Sequence, residues 1–188
     1  MAYGAIPIRV LGGVRGPIVN SMGIQWTIAT GYATAIAQGD FVKQINDGTL
    51  QRAAAGDVNI IGVFAGVSYK ASDGSIVYSK TWPASTSATE IKAYVYDDPK
   101  TVFQIESDQD TTALASNSVG ENADIVVAAA NSLGISGMSL DSSTKTASTA
   151  QLRILGSAET DGSFTSAGTT MDVYVLINEH LFASTTGI

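Results

Sequence analysis

The sequence predicts an all-β protein: a barrel- or sandwich-like β-structure with an extended N-terminal arm and long loops. Three observations predict it. About ten short runs rich in β-branched and aromatic residues alternate with Gly, Asp, Asn and Ser turns. No helical periodicity persists beyond about two turns. Charged residues make up only 14% of the 188, against 45% hydrophobic, which suits sheets and tight turns better than salt-bridged helices. The chain is long enough to bury a real core without a metal or disulfide staple.

Residues 1–24 form the arm. Gly4, Gly12, Gly13, Gly16 and Gly23, with Pro7 and Pro17, oppose helix and central strand alike. Ile6, Ile8, Val10 and Leu11 are apolar, and Arg9 and Arg15 are basic. The arm carries +2 and no acidic residue, whereas the whole chain carries −7. An apolar, basic, irregular segment reads as one that lies on something: its own domain, a sister subunit or a partner. Ile6, Ile8, Arg9, Val10, Leu11 and Arg15 are its candidate contact residues.

A first β-subdomain is expected over 25–84. Ile24 to Ala29 is a short strand, and Phe41 to Ile45 alternates. Asn46-Asp47-Gly48 predicts a hairpin with a type I′ turn, because Asn/Asp-Gly tolerates positive φ. Thr49 to Ala53 returns. Val58 to Tyr69 is a long buried strand, and Ser72-Asp73-Gly74 turns it into Ser75 to Ser79. Trp82-Pro83 and the small polar residues 84–89 mark the internal boundary.

A second β-subdomain is expected over 89–182, which the first joins if the two fuse into one barrel-like unit. Ile91 to Tyr96 places Ala93 and Val95 on one face and Lys92, Tyr94 and Tyr96 on the other. Asp97-Asp98-Pro99-Lys100 is a turn, and Thr101 to Glu106 is its partner strand. Thr111 to Ser116 suits one helical turn, Ile125 to Ala130 a strand rather than a helix start, and Asn131 to Ser148 a long loop, of a kind that is functional or pinned by a neighbour. Gln151 to Leu155 and Met171 to Asn178 are strands joined across Asp161-Gly162-Ser163. Residues 183–188 are a tail.

Composition then narrows function. A net charge of −7 argues against nucleic-acid binding and against a polybasic membrane contact. The absence of cysteine removes disulfides, thiolate nucleophiles and Cys-based zinc sites. Pro7 and Arg9 interrupt the apolar stretch that a signal peptide requires. No apolar run approaches the roughly 20 residues of a membrane-spanning helix. His180 is the sole histidine and reads as a hydrogen-bonded surface or interface residue, not a catalyst. Gly12-Gly13 lacks the spacing of a phosphate loop. The carboxylates between Asp97 and Asp124 read as solvated loops. Within them Asp108 and Asp110 are the metal candidates, without the ordered ligands of a calcium loop. The expectation is a protein without enzymatic activity and without a cofactor.

Several blocks resemble a family of tailed-bacteriophage virion structural proteins. They are Gly39-Asp40-Phe41-Val42-Lys43, the Ala53-Ala54-Ala55-Gly56-Asp57 run into Ile61-Gly62-Val63, and Val95-Tyr96-Asp97-Asp98-Pro99 followed by Val102-Phe103-Gln104-Ile105. Glu121 to Val126, Ser136 to Asp141, Leu152 to Leu155 and Val175 to His180 extend the likeness, in scattered blocks over residues 25–182. None of these blocks is a catalytic signature. The resemblance implies a capsid decoration, or head cement, protein on the outer surface of the virion, made in the host cytoplasm. Its implied partners are the major capsid protein and sister copies, as a homo-oligomer with a trimer favoured. The alternatives are a phage tail or receptor-binding component and a small-ligand or carbohydrate-binding β-module.

Overall fold

The computed structural model describes residues 2–13, 16–110, 112–146, 148–159 and 161–183. Strands account for 41% and helix for 3%, so the architecture is all-β. In chain order the strands are β1 (Ile6–Val10), β2 (Ile36–Ala37), β3 (Phe41–Gln44), β4 (Leu50–Arg52), β5 (Ile60–Ala71), β6 (Ile76–Ser79) and β7 (Thr81–Trp82). They continue as β8 (Ala88–Tyr96), β9 (Thr101–Ser107), β10 (Asn122–Ala123), β11 (Ile125–Val126), β12 (Ser139–Leu140), β13 (Leu152–Ser157) and β14 (Met171–Ile177).

Two main sheets each wrap a core. The first has the order β4-β3-β5-β6, with β8 along the other edge of β5. The segment before β2 joins its edges: Trp26 bridges Ala93 of β8, and Ile28 bridges Leu50 of β4. Trp26, Ile28, Val42, Leu50, Ile61, Phe64 and Val95 fill its interior.

The second sheet runs β10-β13-β14-β9-β12-β11, with β1 added to β9. Its two ends, β10 and β11, are separated by Asp124 alone, so the sheet comes round into a nearly closed barrel. Asp124 is held from three sides. Its carbonyl accepts from the Asp141 N–H (2.9 Å) and its own N–H donates to Thr144 Oγ1 (2.9 Å). Its carboxylate accepts from the Gln151 N–H (3.2 Å). Along β14, Met171, Val173, Val175 and Ile177 point inward and alternate with half-buried residues, the period of 2 that a strand with one buried face requires. They meet Phe103, Ile105, Leu152 and Ile154.

The two cores share a wall. Phe41, Ile60 and Val63 face the barrel interior, whereas their neighbours Val42, Ile61 and Phe64 face the first core. Alternate residues of a strand point to opposite faces. A strand between two cores is therefore apolar throughout, and every residue from Ile60 to Phe64 is buried. Gly62 lies in this wall because a Cβ there would overlap the Tyr96 carbonyl of β8. Gln151, fully buried, ties the loop after β4 to the barrel. Its Nε2 donates to the Ala54 and Asp57 carbonyls (2.9 Å each), and its Oε1 accepts from the Gly56 and Ile125 N–H groups (3.2 and 3.1 Å).

Several expectations need correction. Residues 84–89 do not divide the sheets, because β8 pairs along β5 from Val63 to Ala71. The chain passes between sheets at Asp97–Lys100 instead. The arm is not an irregular extension: β1 pairs antiparallel with β9 of its own barrel, and Ala5 lies in the core. The turn at Asn46-Asp47-Gly48 is not type I′. Only Gly48 has positive φ (83°), and the Gly48 N–H donates to the Ile45 carbonyl while the Ile45 N–H donates to that of Thr49. This is a three-residue loop with Gly in the left-handed position, and Asp47 takes the Thr49 N–H and hydroxyl. Asp73-Gly74-Ser75 repeats the arrangement. A short 3-10 turn lies at Ser116–Ser118, at the end of the expected helical turn, and β12 and a second 3-10 turn at Ser142–Thr144 interrupt the long loop 131–148. Of the tail, Ala183 alone lies within the described residues.

Candidate functional site

The ionisable candidates are tied into the fold. His180 is fully buried, not at the surface. It bridges Ile60 at the end of β14's descent, and its ring lies 5.7 Å from that of Phe182. Its Nδ1 accepts the Phe182 N–H at 3.1 Å, which assigns the proton to Nε2. Burial pulls its pKa down to about 4, so the imidazole is neutral. The neighbouring Glu179 carboxyl is pushed upward by burial and by Asp124.

Asp108 and Asp110 do come together, around a serine. Asp108 Oδ1 accepts from the N–H and Oγ of Ser142 (3.0 and 2.8 Å), and Asp110 lies 3.5 Å from the same hydroxyl. They fix the turn that follows β12. Among the described residues no group of three or more His, Asp or Glu side chains is arranged to hold a metal ion. The acidic stretch is also less solvated than expected, since Asp97 is fully buried.

The arm is seated twice. At the first seat, Ile6, Pro7, Arg9 and Val10 face Gln104, Phe103, Val102 and Thr101 of β9, with a bulge between Pro7 and Arg9. The Ala5 N–H donates to the Gly39 carbonyl (3.0 Å). Gly4 adopts φ +70° where a Cβ would overlap Ser136 and Gly39. Gln104 Nε2 reaches both the Tyr3 hydroxyl (3.4 Å) and Asp172 (2.7 Å). Burial and the Asp172 carboxylate raise the Tyr3 phenol above its ordinary range.

At the second seat, Asn20 copies a strand residue against β8. Its N–H donates to the Val95 carbonyl (2.7 Å), its Oδ1 accepts the Val95 N–H (2.9 Å), and its Nδ2 donates to the Ala93 carbonyl (3.2 Å). Asn tolerates the left-handed φ of 50° found there. Asp97 then receives the Ser21 N–H (2.6 Å) and hydroxyl (2.8 Å).

Between and around these seats the arm's large side chains stay in solvent. Ile6, Ile8, Leu11, Ile18, Met22 and Ile24 are each between 37% and 49% exposed. Arg9 is exposed beside them, and Arg15 lies outside the described residues. A cleft of about 450 Å³ opens next to β1, lined by Tyr3, Ile6, Pro7, Phe64, Tyr96 and Ile135. Asp40, next in sequence to Gly39 of its lining, pairs with Arg52 (Nε to Oδ2, 2.9 Å), and its Oδ1 accepts from Ser136 Oγ at 2.6 Å. The chemistry on offer is apolar contact from a rigidly held segment.

No protein-family model, curated protein or solved structure matches the chain.

Sequence reasoning found the arm and its apolar residues, and missed what holds them. In the Asp97-Asp98-Pro99-Lys100 turn Asp98 is the cap, accepting the Lys100 N–H (2.8 Å), which leaves Asp97 for the arm. Asn20-Ser21 carries a signal in retrospect. Two short polar residues inside an apolar segment are the types that bond to backbone and carboxylate.

Proposed function

We propose that this protein is a non-enzymatic capsid decoration protein of a tailed bacteriophage, which binds the lattice of the major capsid protein and stabilises the head. The observation that carries the proposal is the arm: a series of exposed aliphatic side chains held at the surface by two hydrogen-bonded seats. Singly scattered surface hydrophobics need no explanation, but a series of them along one segment points to a contact surface. Covering Ile6, Ile8 and Leu11 on a partner yields about 25 cal/mol per Å² of apolar area. Preorganisation by the seats lowers the ordering cost of association. Arg9 contributes orientation and on-rate more than affinity.

A fold built almost wholly of short strands and fixed turns, with no cysteine, also suits a protein that must persist outside the cell. The resemblance of the scattered sequence blocks supplies the phage context, and homo-oligomers on a lattice would add avidity.

The test is loading onto purified heads that lack the protein. The wild type should saturate them and raise their melting temperature. An Ile6→Ser, Ile8→Ser variant, altered only at exposed positions, should melt normally and load at least about tenfold more weakly, as two lost aliphatic contacts imply. Wild-type protein that never associates with heads overturns the proposal.

A further inference from the structure

We propose that the strap formed by residues 2–10 is exchanged between copies of this chain, each copy's β1 lying on β9 of a neighbour. The inference rests on the reading of the protein as one held in many copies, and it names the receiving site and the occupant.

The seat has the features of a peptide-binding groove. It supplies backbone pairing along β9, a position that admits only a residue without Cβ, and a buried pocket for one small side chain. Gly4 and Ala5 fill the last two. The contacts there are made by residues 3–11, and none requires that the strap belong to the same chain.

The tether is longer than the cis connection needs. The strap leaves the seat at Leu11, whose N–H donates to the Lys100 carbonyl, and the chain is next fixed at Asn20, on Val95. Val95 and Lys100 are five residues apart, so they are separated by at most about 18 Å. The nine chain steps from Leu11 to Asn20 reach roughly 30 Å. That surplus is the chain available for reaching an adjacent copy while the second seat stays on its own body. Charge favours any copy as host: the strap carries Arg9, and the chain it would meet is net acidic at −7.

Contacts in cis and in trans are the same, so concentration sets the balance. A short tether holds its own strap at an effective concentration in the millimolar range. Dilute protein therefore keeps the strap in cis, and copies packed at comparable density exchange it.

The chain has no cysteine, which makes the test direct. Ile6 and Gln104 are register partners, as are Val10 and Thr101. An Ile6→Cys, Gln104→Cys double variant should form an intramolecular disulfide in dilute solution. Ile6→Cys protein mixed with Gln104→Cys protein, and refolded together at millimolar concentration, should give the mixed disulfide at least about tenfold over either symmetrical one. Val10→Cys with Thr101→Cys, run in parallel, should behave alike. Symmetrical and mixed disulfides in statistical proportion for both pairs overturn exchange. That result with normal loading onto heads leaves the capsid reading standing. Exchange without loading removes the capsid reading and leaves exchange.

Discussion

The carboxylate of Asp97 accepts a 3.0 Å hydrogen bond from the indole Nε1 of Trp26. Its other oxygen takes the N–H and hydroxyl of Ser21. One buried side chain thus ties together the arm, the segment that bridges β8 to β4, and the point where the chain leaves the first sheet for the barrel. A buried carboxylate is costly unless its lone pairs are filled, and here three strong donors fill them.

Asp97→Ala should cost roughly 3 kcal/mol, because it strands the Ser21 and Trp26 donors. Asp97→Asn should cost about half as much, since it keeps the shape and one acceptor. Urea unfolding followed by Trp fluorescence reads both. Equal stability of the alanine variant and the wild type would contradict the anchor.

Stability should fall with acid in a window set by His180. The unfolded chain gains a proton near pH 6.5, whereas the buried imidazole waits until about 4. The unfolded state therefore binds more protons between these values. Stability is fully present above pH 6.5 and is lost as pH falls to 4, by roughly 3 kcal/mol. His180→Asn should flatten the profile across that window. The carboxyls of Asp47, Asp73 and Asp161, held below 3.8 by Thr49, Ser75 and Ser163, act at lower pH. A profile unchanged by the substitution would sink this assignment.

Glycine positions should separate into two classes. Gly62→Ala forces a Cβ against a backbone carbonyl inside the shared wall, which side-chain movement cannot relieve. We expect a loss of about 3 kcal/mol or more, or failure to fold. Gly48→Val and Gly74→Val, at exposed hairpin tips, should each cost on the order of 1 kcal/mol through positive φ alone. Comparable losses at all three sites would be the wrong result.

Calcium and chelator should leave the melting temperature unchanged, because Ser142 already engages Asp108 and Asp110. A rise of several degrees with calcium, reversed by chelator, would make those two residues metal ligands after all.

The strands between Phe41 and Val77, and again at Thr101–Ser107 and Met171–Ile177, were legible because each has strong alternation or a long β-branched run beside an Asp-Gly turn. Short strands mostly were not. β11 falls at the start of the strand expected over Ile125 to Ala130, but β10 and β12, at two residues each, are too brief to show a period, and this part of the sheet is held by Asp124, Gln151 and Thr144. The type I′ expectation failed on a local competition. The carboxylate of Asp47 bonds forward to Thr49, and that keeps Asp47 out of the left-handed region. At the site, the apolar residues of the arm could be read directly. Their cis pairing could not, because β9 looks complete in sequence and only the fold reveals its second edge.

Asp124 has one more consequence. Since the first and last strands of the barrel order are the two halves of a single five-residue stretch, that sheet has its ends sewn together. Loose sheet ends are where identical proteins zip into fibres and aggregates when crowded. The outer flank of β1, which pairs only through β9, is an open edge of this sheet among the described residues. Copies crowded together can meet along that edge.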